Sequence, residues 1–564
     1  LRTLLLILAF PASVSFAQFP ENYTPTYPEA VKAYENLAAD HRKSARLFRN
    51  DTTDSGLPLL TFVIDSKGTF DPEKIHEEKR VVCLIMNGIH AGEPGGVNAS
   101  IAFAKARLEN PDDDVVYVII PVYNIGGALN RNSTSRVNQM GPAEYGFRGN
   151  ARNLDLNRDF IKSDSRNARA FAKIFHHWGP EVFVDTHTTN GADYPAAMTL
   201  IHSIPEKYHT LQASFLMRDF LPALFSGMAE RNEPMTPYVD FRGKTPESGL
   251  DLFNDRPRYS TGYVALFNTF GFTSEAHMLK PFDKRVEATL NFLKTLHTFM
   301  STKRDLIVQL KRVADEETAT TRQFTTNWKL SEMADSISFS GYRADSITSE
   351  VTGLPRIRYN RDKPYTEKIP YFNTNEATYK TILPAFYLIP QAWTEVISRL
   401  RENDIAIERL KSDTLIKVRS TYIRDYETVA KPYEGHYLHS NTTAGSRTQD
   451  VQFYAGDYLI RTNQTGNRFL ANVLDPVSPD SYFNWNYFDS VIMQKEYFSD
   501  YLFEDTAIEV LKENSVLRKA FEAKKKEDST FAKDGPAQLD FIYRNSKYYE
   551  TTHMRLPVFS SEAD

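Results

Sequence analysis

The feature that most constrains this chain is an alternation along its first three hundred residues. Short, almost uninterrupted apolar runs are separated by stretches of helical periodicity. Residues 81–86 (Val-Val-Cys-Leu-Ile-Met) and 115–122 are strand-length runs, apolar at consecutive positions. A strand of that kind must be covered on both faces. Residues 57–64 and 182–184 add two more such runs. Between them, residues 95–108 place Val97, Ile101, Ala104 and Leu108 on one side of a helix, and residues 165–178 and 28–48 also read as helical. Strands alternating with helices predict an α/β fold: a mixed, mostly parallel twisted sheet with helices on both faces.

Two fragments rich in chemistry directly follow these runs. One is Asn87-Gly-Ile-His90-Ala-Gly-Glu93, the other Asp185-Thr186-His187. In open α/β sheets, ligands bind beyond the carboxyl ends of the strands. His90, Glu93 and His187 offer two imidazoles and a carboxylate, the ligand set of a catalytic zinc with one position left open. His90 and Glu93, three residues apart, can reach one ion from a single turn, and His187 closes the site from a neighbouring strand. An H-x-x-E tetrapeptide alone arises by chance in many chains, so the weight rests on the set. Asp185 either orients a ligand imidazole or simply ends its strand.

Two further fragments complete a series. Asn157 and Arg158 lie in Asn153-Leu-Asp-Leu-Asn-Arg-Asp-Phe160, and Glu275 lies in Gly271-Phe-Thr-Ser-Glu-Ala-His277. Taken in order, residues 55–300 resemble the zinc carboxypeptidases, the carboxypeptidase A-like metallopeptidases. The resemblance implies one Zn²⁺ held by His90, Glu93 and His187. It implies Glu275 as general base and acid, and Asn157 with Arg158 as a clamp on a substrate's terminal carboxylate. It also implies an oxyanion arginine, for which Arg148 fits best and Arg136 is the alternative. A substrate-capping tyrosine is expected at Tyr263, or else at Tyr259. Two positions depart from the family pattern: Asn124-Ile-Gly-Gly stands where N-P-D-G is frequent, and Gly92 stands where an arginine often serves an outer subsite. The implied substrate is a peptide with a free carboxylate, cleaved at its C-terminal amide bond. Two other readings stay open: a zinc amidohydrolase or deacylase acting on N-acyl amino acids or cell-wall peptides, and a non-catalytic relative that binds glycan or protein.

The rest of the chain bounds these readings. With a net charge of −5 over 564 residues and no long basic run, nothing points to nucleic acid. Cys83 is the single cysteine, so no internal disulfide can form; its apolar run predicts burial. Residues 1–17 read as a signal peptide, with Arg2, an apolar run to Phe10 and a cleavage site after Ser15-Phe-Ala17. That run is short for a membrane span, and a periplasmic or secreted bacterial location is expected. The organisation expected is a catalytic domain at 18–300, a helical linker at 301–325 and a β-rich α+β accessory domain at 326–564. Helices are expected at 392–402 and 506–525, core packing for the aromatic cluster around Trp485, and a frayed tail from Ser560. Asp240, Asp251 and Asp255 read as solvated loop positions that could face a basic substrate.

Overall fold

The computed structural model describes residues 19–189 and 191–562; the signal-peptide expectation falls outside them. Nine strands come first: β1 Ala45–Thr52, β2 Pro58–Ile64, β3 Val81–Asn87, β4 Val115–Ile120, β5 Val182–Thr189, β6 Met198–His202, β7 Thr236–Pro237, β8 Leu250–Asp251 and β9 Phe270–His277. All but β8 form one sheet in the order β1-β2-β4-β3-β5-β9-β6-β7. Its centre, β4-β3-β5-β9, is parallel, while β2 joins β4 and β6 joins β9 antiparallel. The sheet is thus mixed, as the apolar runs predict.

The period-two alternation of a strand explains how both faces are covered. Val81, Cys83 and Ile85 point to one face and pack with the helices Gly95–Glu109 and Phe282–Thr320. Val82, Leu84 and Met86 point to the other and meet Phe171 and Phe175 of the helix Arg166–Trp178. Cys83 is fully buried, and burial pushes its thiol up. The helix expected over 28–48 is corrected to Tyr27–Asp40. Beyond a turn the chain becomes β1, because residues 45–49 pair with β2 and offer it an edge.

The second core does not stop at the first sheet. It continues through Phe324, Leu383, Tyr387, Ile389 and Phe469, so the C-terminal part shares one apolar interior with the catalytic half. That part carries β10 Gln323–Leu330, β11 Asp335–Thr348, β12 Pro355–Phe372, β13 Asn375–Ile382, β14 Phe386–Ile389, β15 Glu408–Arg409, β16 Thr414–Thr428, β17 His439–Phe453, β18 Tyr458–Arg461 and β19 Arg555–Ser560. Six of them form the sheet β15-β18-β14-β19-β16-β17, and the long hairpin β11-β12 pairs with β8. The single helix expected at 506–525 is two, Asp500–Glu513 and Ser515–Glu527, because the Asn514 side chain caps the second by accepting from the Leu517 N–H. Ser560 is not frayed. It ends β19, and Ser561 is buried with its hydroxyl accepting from the Ala385 N–H. Trp485 is fully buried, as expected.

Candidate active site

Strand β3 lies between β4 and β5, and the chain leaves it first to one side and then to the other. That reversal opens a crevice beyond the carboxyl ends of β3 and β5. His90 and Glu93 occupy the turn after β3, and His187 sits near the end of β5. The helix Gly95–Glu109 starts immediately after this turn. A Cβ at Gly96 would stand 1.9 Å from Thr186 Oγ1, so glycine is what allows the helix to lie against β5.

The three side chains converge. His90, Glu93 and His187 are 3%, 4% and 5% exposed, and one ligand atom from each lies within 4.8 Å of the others. His90 Nδ1 is 3.2 Å from Glu93 Oε1, and His187 Nδ1 is 3.1 Å from Glu93 Oε2. Metal–ligand bonds of about 2.0–2.1 Å at a tetrahedral angle set ligand atoms about 3.3 Å apart. Each imidazole therefore turns Nδ1 to a common centre, and each has a carboxylate behind it. His90 Nε2 lies 3.0 Å from Asp155 Oδ1, and His187 Nε2 lies 2.9 Å from Asp185 Oδ2. Carboxylates in that position fix the tautomer and orientation of ligating imidazoles. The donor set fits a zinc ion. Asp185 thus faces the imidazole and is itself held by the Ser260 hydroxyl at 2.7 Å.

The electrostatics of these side chains follow from burial and from one another. Burial opposes the Glu93 charge, but His90, Arg136 and His187 outweigh it and hold the carboxyl well below its usual range. Burial also opposes protonation of His187, yet Asp185 and Glu93 raise it well above an ordinary imidazole. Glu275 is paired in register with His187 across β5 and β9. It is 8% exposed, its Oε2 lacks a hydrogen-bond partner among the described residues, and its carboxyl is pushed up to about 8. The main cause is burial, reinforced by the charges of Glu93 and Asp185. A divalent cation held by His90, Glu93 and His187 would act against that shift.

One cleft of about 840 Å³ gathers His90, Glu93, Arg136, Arg148, Asn157, Arg158, His187, Tyr259 and Glu275. Asp155 orders much of its rim. Beside His90 it accepts the Asn157 N–H at 2.9 Å, and Arg148 Nη2 approaches its Oδ2 at 2.8 Å. Its own N–H donates to Glu434 Oε2 at 2.8 Å, a contact from the C-terminal part. Arg136 Nη1 lies 2.9 Å from Glu93 Oε1, against 3.6 Å for Arg148. Gly92 makes room for this: a Cβ there would lie 2.6 Å from Arg136 Cδ. Arg158 stacks over the Tyr259 ring at 4.6 Å.

Tyr263 is not in the cleft, and the expectation that it contacts substrate is corrected. It is fully buried among Phe160, Phe171, Phe175 and Phe267, and its hydroxyl donates to Asn403 Oδ1 at 2.6 Å. Tyr259 sits at the N-cap of the helix Ser260–Ala265 in extended conformation, so it turns to the cleft while Tyr263 turns to the core. Asp240, Asp251 and Asp255 do not line the cleft. Asp255 is fully buried against Lys207 rather than solvated.

Sequence reasoning missed Asp155, Tyr238, Phe253, Ser260 and Asp480. Tyr238 and Phe253 line the cleft beside Glu275. Asp480 accepts from Arg258 N, Nε and Nη2 at 3.1, 2.8 and 2.6 Å, next to Tyr259. The only local signal was in Asp155-Leu-Asn157, where an aspartate two residues before an asparagine can cap its N–H.

A His₂Glu set with an adjacent buried glutamate, at the switch point of a mixed sheet, defines a metallohydrolase-type site. No family model matches the chain. Carboxypeptidase 2 of Trichophyton tonsurans is 20% identical over 504 residues, 84% of this chain and 87% of that protein. Carboxypeptidase 2 of Trichophyton equinum is 20% identical over 507 residues with the same shares. Among solved structures, a metallo-carboxypeptidase from Burkholderia cenocepacia aligns with a TM-score of 0.38 and 15% identity, over 50% of this chain and 71% of that one. The chain is thus similar, over most of its length, to two fungal proteins named as carboxypeptidases, which are hydrolases. Among the described residues no helix is long and apolar enough to cross a membrane.

Proposed function

We propose that the chain is a zinc-dependent metallocarboxypeptidase that hydrolyses the C-terminal amide bond of peptides. The observation that carries this reading is the meeting, in one cleft, of His90, Glu93 and His187 with Glu275 on the next strand and Asn157-Arg158 on the rim. A zinc ion bound by the three ligands supplies Lewis acidity toward the carbonyl and brings the pKa of a water toward about 7. Glu275 takes the proton from the attacking water and delivers it to the departing amine. Arg158 and the Asn157 amide receive the terminal carboxylate, the guanidinium by paired charge-assisted bonds. Arg148, braced by Asp155, directs a cation at the developing oxyanion, while Arg136 stays on Glu93. Tyr259 replaces Tyr263 as the tyrosine that touches substrate.

Asp155 and Asp185 orient the imidazoles and undergo no chemistry themselves. The segment 326–564 braces the cleft wall through Glu434 and Asp480. The names of the relatives favour a carboxypeptidase over the amidohydrolase and binding readings. Residues 1–17 are proposed as an export signal; a mature N-terminus other than Gln18 would contradict that. The reading of function is tested by digesting a peptide library with and without a chelator. Stepwise, chelator-sensitive loss of C-terminal residues is expected. Release of acyl groups only, or cleavage indifferent to chelator, would overturn it.

A further inference from the structure

A second cleft, of about 1000 Å³, lies between the catalytic half and the C-terminal part. Its walls include Tyr208, Arg256, Phe324, Trp328 and Arg468. It backs onto the active cleft. In the loop 253–259, Phe253 and Tyr259 line the active cleft, while Asn254, Arg256 and Pro257 line the second one.

The charges in this cleft are unevenly satisfied. Lys207 is neutralised by Asp255 at 2.6 Å, and the Glu317 carboxylate meets His209 at 2.7 Å. Glu206 accepts the Asn375 N–H through Oε1 at 2.9 Å, while its Oε2 is buried without a partner among the described residues. Arg468 is different: it forms no ion pair among the described residues. Its Nη1 is anchored on Ala265 O at 2.9 Å and Asn268 Oδ1 at 2.7 Å, and its remaining donors meet no hydrogen-bond acceptor among the described residues. The guanidinium also stands over the Phe324 ring at 5.7 Å. Burial pulls its pKa down to about 10, against the charges of Asp315, Tyr208 and Glu317, which favour the protonated form. Arg256, exposed on the same cleft, also forms no ion pair among the described residues.

A guanidinium held on one side and open on the other presents a fork to a carboxylate. Aromatic walls beside it suit an apolar group of amino-acid size. We propose that this cleft is a second binding site, for a small carboxylate that bears an aromatic or apolar group. Its occupant rests against the loop 253–259, whose other side shapes the active cleft.

Trp328 gives a direct readout, since of the four tryptophans it alone lines this cleft. The experiment titrates phenylacetate, and its neutral isostere phenylacetamide, into the full-length protein and follows tryptophan emission. The expected result is a saturable change with phenylacetate that is absent in Trp328→Phe. Arg468→Met is expected to weaken it about tenfold or more, and Arg256→Ala, at an exposed position, to weaken it less. Arg158→Met, in the other cleft, is expected to leave it unchanged, which separates this site from the active cleft whether or not the peptidase reading holds. Equal responses to the acid and the amide, an unchanged affinity in both Arg468→Met and Arg256→Ala, or no Trp328-dependent change would overturn the proposal.

Discussion

Asp480→Ala is the perturbation that most sharply probes how the C-terminal part holds the active cleft. The Asp480 carboxylate is 1% exposed and accepts three N–H bonds from Arg258, which is 6% exposed. Removing it leaves a guanidinium enclosed against the Trp485 ring at 4.8 Å and the Tyr433 ring at 5.5 Å. Breaking one side of a buried pair costs about 3–5 kcal/mol. The two rings face the guanidinium before and after the change and so do not offset the cost, and a net loss of about 3–5 kcal/mol is expected. The assay is urea unfolding by circular dichroism, run on Asp480→Ala, Arg258→Met and the double variant. The double variant, which carries no orphaned charge, is expected to recover most of the loss. Because Arg258 precedes Tyr259, KM for a peptide is also expected to rise in Asp480→Ala. A loss within the range of about 0–1 kcal/mol typical of surface pairs, or a double variant no more stable than Asp480→Ala, would refute the reasoning.

Two further predictions concern the metal and the tyrosines. At pH 7 the metal-free site holds a proton on His187, raised well above its usual range, and one on Glu275, raised to about 8. Zinc must displace the first and favours loss of the second, so uptake at pH 7 releases about one to two protons and tightens as pH rises. Calorimetry in buffers of different ionisation enthalpy checks this; zero proton release would contradict it. Tyr263→Phe removes the buried hydroxyl that donates to Asn403 Oδ1 and is expected to lose about 1 kcal/mol of stability with KM unchanged. Tyr259→Phe is expected to do the reverse, and steady-state kinetics beside urea melts distinguishes them.

The sheet was legible because strands buried on both faces leave continuous apolar runs, as at 81–86 and 115–120. The metal set was legible because each fragment follows such a run. What escaped depends on contacts between distant residues. His90 with Asp155 spans 65 positions, and Arg258 with Asp480 spans 222, so no local spacing reports either. Tyr259 and Tyr263 differ by one helical turn and would share a face if both were helical. Tyr259 is extended at the N-cap, so the two diverge, and periodicity alone could not separate them. The overextended first helix has a similar origin: the alternation in residues 45–49 reads as a strand only once β2 is beside it.

The central claim is that Glu275 moves the proton in a zinc site built by His90, Glu93 and His187. The most direct measurement is the rate at which zinc-loaded Glu275→Gln releases C-terminal residues from a peptide, set against the wild-type rate at equal zinc content. The account predicts one zinc per chain in both proteins and a fall in kcat of about a hundredfold or more. Undiminished hydrolysis by Glu275→Gln would contradict it.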